Sequence, residues 1–302
     1  MIIYKNLDIK KIHKHSVIAI GNFDGVHLGH QKVLKQASIK AKKENLKFGA
    51  ITFEPIPNMF FNKKIKHHRI NLIKQKIYYL NKIKLDFLII IYFNNLFSNI
   101  SADSFIKKIL VNKIKSKYIF VSRNFRFGKK RIGNTNTLKK FEKKYFYKTI
   151  ITSPYQKNEK TISSSLIRDN IAKGKVANAK RLLGRPWSIE GKVIKGEKRG
   201  RKIGFPTCNI KWNSYVLPKL GVYAVKIESK NFNKRGIANI GYRPTFNGKT
   251  LLLEVNIFGI KTNLYNKTLK ISFMKFVRSE KKFNNISELK NQIKKDIITA
   301  KK

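Results

Sequence analysis

The sequence predicts two domains of different class. The first is an α/β domain built on a parallel sheet covered on both faces, and the second is a small antiparallel β-barrel with a closing helix. Three observations lead there. Short apolar runs alternate with helix-period segments through the first part of the chain, a pattern of βα units. From Ser188 the pattern changes to short strands separated by Gly, Asn and Lys turns, as in a small barrel. The 302 residues also leave room for two cores, at roughly 100–200 residues per domain. Arg185-Pro186 is read as the boundary, giving domains 1–184 and 185–302.

In order along the chain, Val17-Ile18-Ala19-Ile20 reads as a buried strand. Val33, Leu34, Ala37, Ile39 and Ala41 then mark a helix. Phe48–Phe53 is a second strand that ends in Glu54-Pro55-Ile56-Pro57, a rigid loop. Ile73, Ile77 and Leu80 are spaced for a helix, and Leu85–Phe93 is a continuous apolar strand. Ser101 is placed to cap the next helix, with Asp103 in its first turn and Phe105, Ile106, Ile109 and Leu110 turned inward. Tyr118–Val121 is the fourth strand, and Gly174 and Gly184 read as helix stops. In the second domain, strands are expected over 189–193, 221–227, 235–240, 251–258 and 269–276, with a further strand entered through Thr207-Cys208-Asn209. A closing helix follows, with Ser287 as its cap and Leu289, Ile293 and Ile297 on one face.

Between the first strand and the first helix lies Gly21-Asn22-Phe23-Asp24-Gly25-Val26-His27-Leu28-Gly29-His30. Gly25 and Gly29 permit a tight turn and close approach of backbone to a ligand. The helix start offers unpaired N–H groups and a partial positive charge, which favour phosphate. His27 and His30, three apart, share one face of that turn. They also read as a metal pair or as surface histidines, but a metal pair needs further Cys, His or carboxylate ligands nearby, and none stands out. Ser163-Ser164-Ser165 fits a helix cap, and Arg168 one turn later turns the segment toward phosphate. Asn124-Phe125-Arg126-Phe127-Gly128 reads by itself as a surface loop with aromatic packing.

Lys+Arg number 67 against 16 Asp+Glu, a net charge of +51. Such a balance can mark a nucleic-acid binder. The lysines are spread as singles and pairs along the whole chain, with Ile and Asn also abundant, as coding DNA rich in A and T would produce. No specific nucleic-acid partner is expected. The one cysteine, Cys208, excludes an internal disulfide and a Cys-based zinc cluster. Met1–Lys5 lacks the apolar region of a signal peptide. The longest apolar run, Phe87–Phe93, falls far short of the ~20 residues that span a bilayer. A cytoplasmic protein with no membrane partner is expected.

His-x-Gly-His at a strand-to-helix turn resembles the signature of the nucleotidyltransferase superfamily, a Rossmann-like fold. The longer Gly21–His30 motif resembles the start of the bacterial bifunctional riboflavin kinase/FAD synthetases. The likeness runs through nearly the whole chain. Ser163-Ser164-Ser165-x-x-Arg168 is similar to the family segment that contacts ATP phosphates. The 124–128 loop is similar to one that helps hold flavin and nucleotide, which implies flavin contacts from Asn124, Phe125 and Phe127. Gly196-x-x-x-Gly200-Arg201-x-x-Gly204-Phe205-Pro206-Thr207-x-Asn209 resembles the riboflavin kinase loop. Leu253-Glu254-Val255-Asn256 resembles the segment of the catalytic glutamate, and Arg278-Ser279-Glu280 one near the flavin.

The resemblance implies ATP-dependent phosphorylation of riboflavin to FMN, then adenylyl transfer from ATP to FMN, giving FAD and pyrophosphate. It implies a catalytic Glu254, with Thr207 and Asn209 on Mg²⁺. It implies His27, His30 and Arg168 on the adenylyl phosphates. Gly21, Asn22, Phe23, Gly25, Gly29, Ser163, Ser164, Gly196, Gly204 and Pro206 would line ATP, and Arg278 and Glu280 the flavin. The sequence departs from the family pattern at Ile56, Ser122, Asn124, Asn134, Asn256 and Asn266. Two of these, Asn124 and Asn134, remove carboxylates. A riboflavin kinase with a decayed adenylyltransferase half, or a basic nucleic-acid binder, is the alternative reading. Oligomeric state is not legible.

Overall fold

Six strands of the computed structural model lie side by side and all parallel. They are β1 (Ile2–Tyr4), β2 (Val17–Ile20), β3 (Phe48–Glu54), β4 (Phe87–Tyr92), β5 (Tyr118–Ser122) and β6 (Lys148–Thr152). Their order is β1-β4-β3-β2-β5-β6. A short pair, β7 (Gln156–Lys157) and β8 (Lys160–Thr161), follows. The structure describes residues 1–157, 160–196, 199–245, 248–260 and 262–301. It divides into two units: Met1–Lys66 with Leu72–Ser163, and His67–Asn71 with Ser164–Lys302.

Alternation along the strands makes the first unit's two cores, because successive side chains point to opposite faces. Ile18, Ile20, Ile51, Phe53, Ile89 and Ile91 face one way, onto Phe105, Ile106, Ile109 and Leu110. Val17, Ala19, Phe48, Ala50 and Leu88 face the other way, onto the helix Leu28–Lys43. That helix buries Val33, Leu34, Ala37 and Ala41, whereas Ile39, which the same pattern included, is exposed. At about 100° per residue it falls across the axis from Leu34 and Ala37. The helix stops at Asn45, whose φ of 52° provides the left-handed turn. β1 and β6, the two edge strands, had no counterpart in the sequence reading. They are short and only partly buried, so neither shows a clear period.

The helix Ile73–Asn81 also departs from expectation. Leu80 is buried as predicted, but Gln75 and Lys76 are buried too, Lys76 completely. Ser101 does cap its helix, its hydroxyl accepting from the Ser104 N–H at 3.1 Å.

The second unit is a closed antiparallel barrel of order β10-β13-β12-β11-β14-β9. Its strands are β9 (Ser188–Ile194), β10 (Cys208–Ile210), β11 (Gly221–Glu228), β12 (Asn233–Thr245), β13 (Gly248–Ile257) and β14 (Thr268–Arg278). Closure leaves no sheet edge to be protected. Trp187 stacks on Phe273 at 4.7 Å between ring centres, and Tyr223 meets Phe273 edge-on at 5.2 Å. Residues His67–Asn71, far away in sequence, join this unit. The His68 and Arg69 N–H groups donate to the Ser214 carbonyl, and Trp187 Nε1 donates to the Ile70 carbonyl. The helices Ser164–Ala172 and Val176–Leu183 also belong to it, the second packing on β14. Both precede residue 184, the sequence-based limit of the first domain. Gly174 and Gly184 end these helices with φ of 72° and 74°.

The closing helix is Ile286–Lys301. Ser287 is not its cap: Asn285 Oδ1 accepts from the Glu288 N–H at 2.9 Å, so the helix starts earlier than expected. Its one fully buried residue is Asp296, which takes Arg278 Nε at 3.0 Å and Nη2 at 2.8 Å. Removing one partner of such a pair strands a buried charge. Asp296→Ala should destabilise this unit by about 3 kcal/mol. Both tryptophans, Trp187 and Trp212, lie in this unit, so the fluorescence midpoint in urea measures the loss.

Candidate active sites

β2 pairs with β3 on one side and β5 on the other, and the chain runs outward from β2 in both directions. This is the switch point of the sheet, where open α/β folds bind ligands beyond the strands' carboxyl ends. Two expected segments start there: Gly21–His30 leaves β2, and the Asn124 loop leaves β5.

The first of these turns is conformationally extreme. Gly25 has φ of 85°, but Phe23 and Val26, neither of them glycine, have φ of 47° and 41°. A β-branched residue there is strained and needs its surroundings to hold it. Phe23, Asp24 and Val26 are all buried, and Gln31 Nε2 donates to the Val26 carbonyl at 2.9 Å. His27 caps the helix, its Nδ1 accepting from the His30 N–H at 3.3 Å. Accepting at Nδ1 puts the proton of a neutral His27 on Nε2. The rings of His27 and His30 stack at 3.6 Å between centres, and Phe23 sits edge-on to His30 at 5.3 Å. A Cβ at Gly29 would press on the His27 ring at 3.1 Å and on the Ile162 carbonyl at 3.4 Å. Glycine therefore lets the segment leading into Ser163 approach the histidine turn.

Ser163 ends the first unit, and Ser164 opens the helix that carries Arg168 in the second. Burial, then the Arg168 and Arg69 charges, push His68 down to about 4. The ordinary value is 6.5, so the unfolded chain takes up this proton first. Stability of the second unit is therefore lost as pH falls from 6.5 towards 4. His68→Gln should flatten that slope, read by tryptophan fluorescence across the same window.

At the β5 end, Arg123, Asn124, Arg126, Arg131, Asn134, Thr135 and Asn136 line a cavity of about 400 Å³. Asn124 is exposed there, while Phe127 is buried in the core and stacks on half-buried Phe125 at 5.4 Å. Phe125 and Phe127 thus shape the loop from beneath.

In the barrel, strand register assembles the other site. Glu254 on β13 lies directly opposite Asn209 on β10 and directly opposite Asn239 on β12. Opposed residues share a face. The flanking Leu253 and Val255 are buried, so this polar row takes the face away from the core. The sequence reading gave Asn239 no role; the register sets it opposite Glu254. A Cβ at Gly196 would strike the Asn209 amide, and one at Gly200 would meet Thr207 Oγ1 at 3.1 Å. Glu197 and Lys198 of that loop lie outside the described residues. Gly204 has φ of 91°, and Pro206 and Thr207 are exposed. Burial pushes the Cys208 thiol up to about 11, which keeps it an unreactive thiol. Arg278 is committed to Asp296 and lies 5.8 Å from the Phe283 ring, so it anchors the segment after β14. Glu280 lies against Gly241, where a Cβ would collide with its carboxylate.

Four of the six departures have local accounts. Asn134 caps the helix Thr135–Lys140 through Oδ1, accepting at 2.9 and 3.0 Å, as an aspartate would. Asn266 sits at φ of 64°, the left-handed region that asparagine tolerates best after glycine. Asn256 Nδ2 donates to the Pro206 carbonyl at 2.7 Å and so holds the strand entry that carries Thr207. Ile56 is buried and starts the helix Pro57–Phe61. Ser122 is exposed at the end of β5, and nothing in the structure explains it.

A parallel sheet with a strained histidine turn at its switch point, and a barrel with a polar row beside a glycine loop, define a two-domain transferase acting on phosphates. Residues 9–166 match the family described as FAD synthetase, and residues 183–302 the family described as riboflavin kinase. The chain belongs to the bifunctional riboflavin kinase/FMN adenylyltransferase family. The protein of that name from Buchnera aphidicola subsp. Schizaphis graminum is 45% identical over 98% of this chain and 96% of its own length. The one from Haemophilus influenzae is 42% identical over 94% and 92%. A crystal structure from Streptococcus pneumoniae, described as a macrolide-efflux protein, is 29% identical, with a TM-score of 0.89 over 99% of this chain and 98% of that one. No helix among the described residues is long and apolar enough to cross a membrane.

Asn256→Ala frees the Pro206 carbonyl and loosens the entry to Thr207. FMN formation should fall several-fold while FAD formation from supplied FMN is unchanged, as product chromatography would show.

Proposed function

We propose that the chain performs successive ATP reactions in the cytoplasm, with 1–184 as the adenylyltransferase domain and 185–302 as the riboflavin kinase domain. The observation that carries this reading is the opposed row Asn209–Glu254–Asn239 beside Thr207, which puts a carboxylate next to oxygen donors suited to phosphate and cation. Glu254 accepts the proton of the riboflavin 5′-hydroxyl while that oxygen bonds to the γ-phosphorus and ADP departs. Thr207 Oγ1 and Asn209 Oδ1 fit Mg²⁺, which takes oxygen ligands and completes its shell with water and phosphate. The ion when bound neutralises phosphate charge. Among the described residues no group of three or more His, Cys, Asp or Glu could hold a metal. Gly196, Gly204 and Pro206 shape this loop around the nucleotide, and Glu280 borders the flavin next to the segment that Arg278 anchors.

In the first unit, the FMN phosphate attacks the α-phosphorus of ATP and pyrophosphate leaves. His27 and His30 donate to the phosphoryl oxygens as charge grows there, an electrostatic role. Backbone at Gly21, Asn22, Phe23, Gly25 and Gly29 cradles the phosphates, helped by the Ser163 hydroxyl. Asn124 contacts the flavin from a loop held by Phe125 and Phe127.

Purified protein incubated with riboflavin, ATP and Mg²⁺ should form FMN first and FAD after it. His30→Ala should abolish FAD formation and spare FMN formation. Glu254→Ala should block FMN formation yet still convert supplied FMN to FAD. FMN accumulating without FAD in the wild type would reduce the protein to a kinase, and either variant losing both activities would overturn the division of labour.

A further inference from the structure

Lys76 is fully buried on the helix Ile73–Asn81, in a position whose neighbours in sequence led us to expect apolar packing. Burying an ammonium costs several kcal/mol unless it is well paired, and Thr52 is one of the partners that Lys76 finds. Its Nζ donates to Thr52 Oγ1 at 3.3 Å, and Thr52 Oγ1 donates in turn to the Asn22 carbonyl at 3.0 Å. Thr52 is itself completely buried, two residues before the end of β3. The relay therefore starts from a buried charge, crosses one strand end, and finishes on the backbone of the strained turn. The peptide that it grips directly precedes Phe23, the first of the two non-glycine residues held at positive φ.

We propose that Lys76 and Thr52 form a positioning relay that holds the Gly21–His30 turn in the conformation needed for adenylyl transfer. Neither residue belongs to a motif, and neither touches the reacting atoms. A hydroxyl polarised by a buried ammonium is a stronger donor than an ordinary threonine. It fixes the Asn22 carbonyl against the tendency of Phe23 and Val26 to relax to negative φ. Asn22 is exposed, so a released carbonyl has water to turn to. The turn would then loosen without the unit unfolding.

This inference rests on the assignment of adenylyl transfer to that turn, and the experiment separates the two. FAD formation from supplied FMN is measured for Lys76→Met, Thr52→Val, Thr52→Ser, the double variant Thr52→Val/Lys76→Met, and His30→Ala. FMN formation by the same chains serves as the internal control, and amide hydrogen exchange over residues 17–26 and 48–54 reports local stability. Each single removal should lower kcat/KM for ATP in the adenylyl reaction by roughly tenfold to a hundredfold. KM for FMN and the kinase rate should stay unchanged, and Thr52→Ser should keep the wild-type rate. The double variant decides the matter. In a relay the two side chains act through one another, so the double variant should lose no more adenylyl-transfer rate than Thr52→Val alone. Losses that multiply in the double variant would make the two side chains independent and overturn the proposal. FAD formation surviving in His30→Ala would overturn the site assignment, and this inference with it.

Discussion

The first unit depends on β2 being paired on both edges and buried on both faces. Val17 to Ile20 pair with β3 and Val17 to Ala19 with β5, in parallel register, and each of the four residues is buried. A strand so confined has no freedom to slide, because a one-residue slip would exchange its two buried faces. Its last residue therefore delivers Gly21 to a definite place, the switch point of the sheet. The strain at Phe23 and Val26 is held between this anchor on one side and the buried face of Leu28–Lys43 on the other. Fully burying a residue such as Leu34 contributes roughly 1.5–3 kcal/mol, the same order as the 1–3 kcal/mol that each unfavourable backbone conformation costs.

The barrel works by a related constraint, with register in place of strain. Closure fixes which residue of β13 faces which residue of β10 and β12, and so places Glu254 between Asn209 and Asn239. Alternation does the rest: Leu253 and Val255 take the core and Glu254 the open face. The Arg278–Asp296 pair pins the closing helix to β14, and thereby the start of the segment with Glu280. A carboxylate in so basic a chain is surrounded by cations wherever it stands. What distinguishes Glu254 is its setting within a hydrogen-bonded sheet, opposite two amides.

Much of the fold was legible because the central strands are uninterrupted apolar runs and the barrel strands are punctuated by Gly, Asn and Lys. The edge strands β1 and β6 were not legible, since a partly buried edge carries no clear period. Ser287 was read as a cap where Asn285 is one, two residues earlier. Both are good cap residues, and only the backbone decides between them. The site residues that could be named from sequence all lie in local motifs: Gly21–His30, Asn124–Gly128, Ser163–Arg168, Gly196–Asn209, Leu253–Asn256 and Arg278–Glu280. Asn239 and Lys76 could not be named, because an asparagine in a barrel strand and a lysine in a helix resemble the many others here.

The sequence by itself determined the order of elements, the change from βα units to a barrel, and the local chemistry of each motif. These are properties of neighbours in the chain: apolar spacing, glycine at turns, hydroxyls at helix starts. Only the tertiary structure decided which distant residues meet. Glu254 opposite Asn209, Lys76 beneath Asn22 through Thr52, and His67–Asn71 added to the barrel unit all depend on strand register and on which face of an element is covered. Pairing and burial are long-range and cooperative, so no window of sequence contains them.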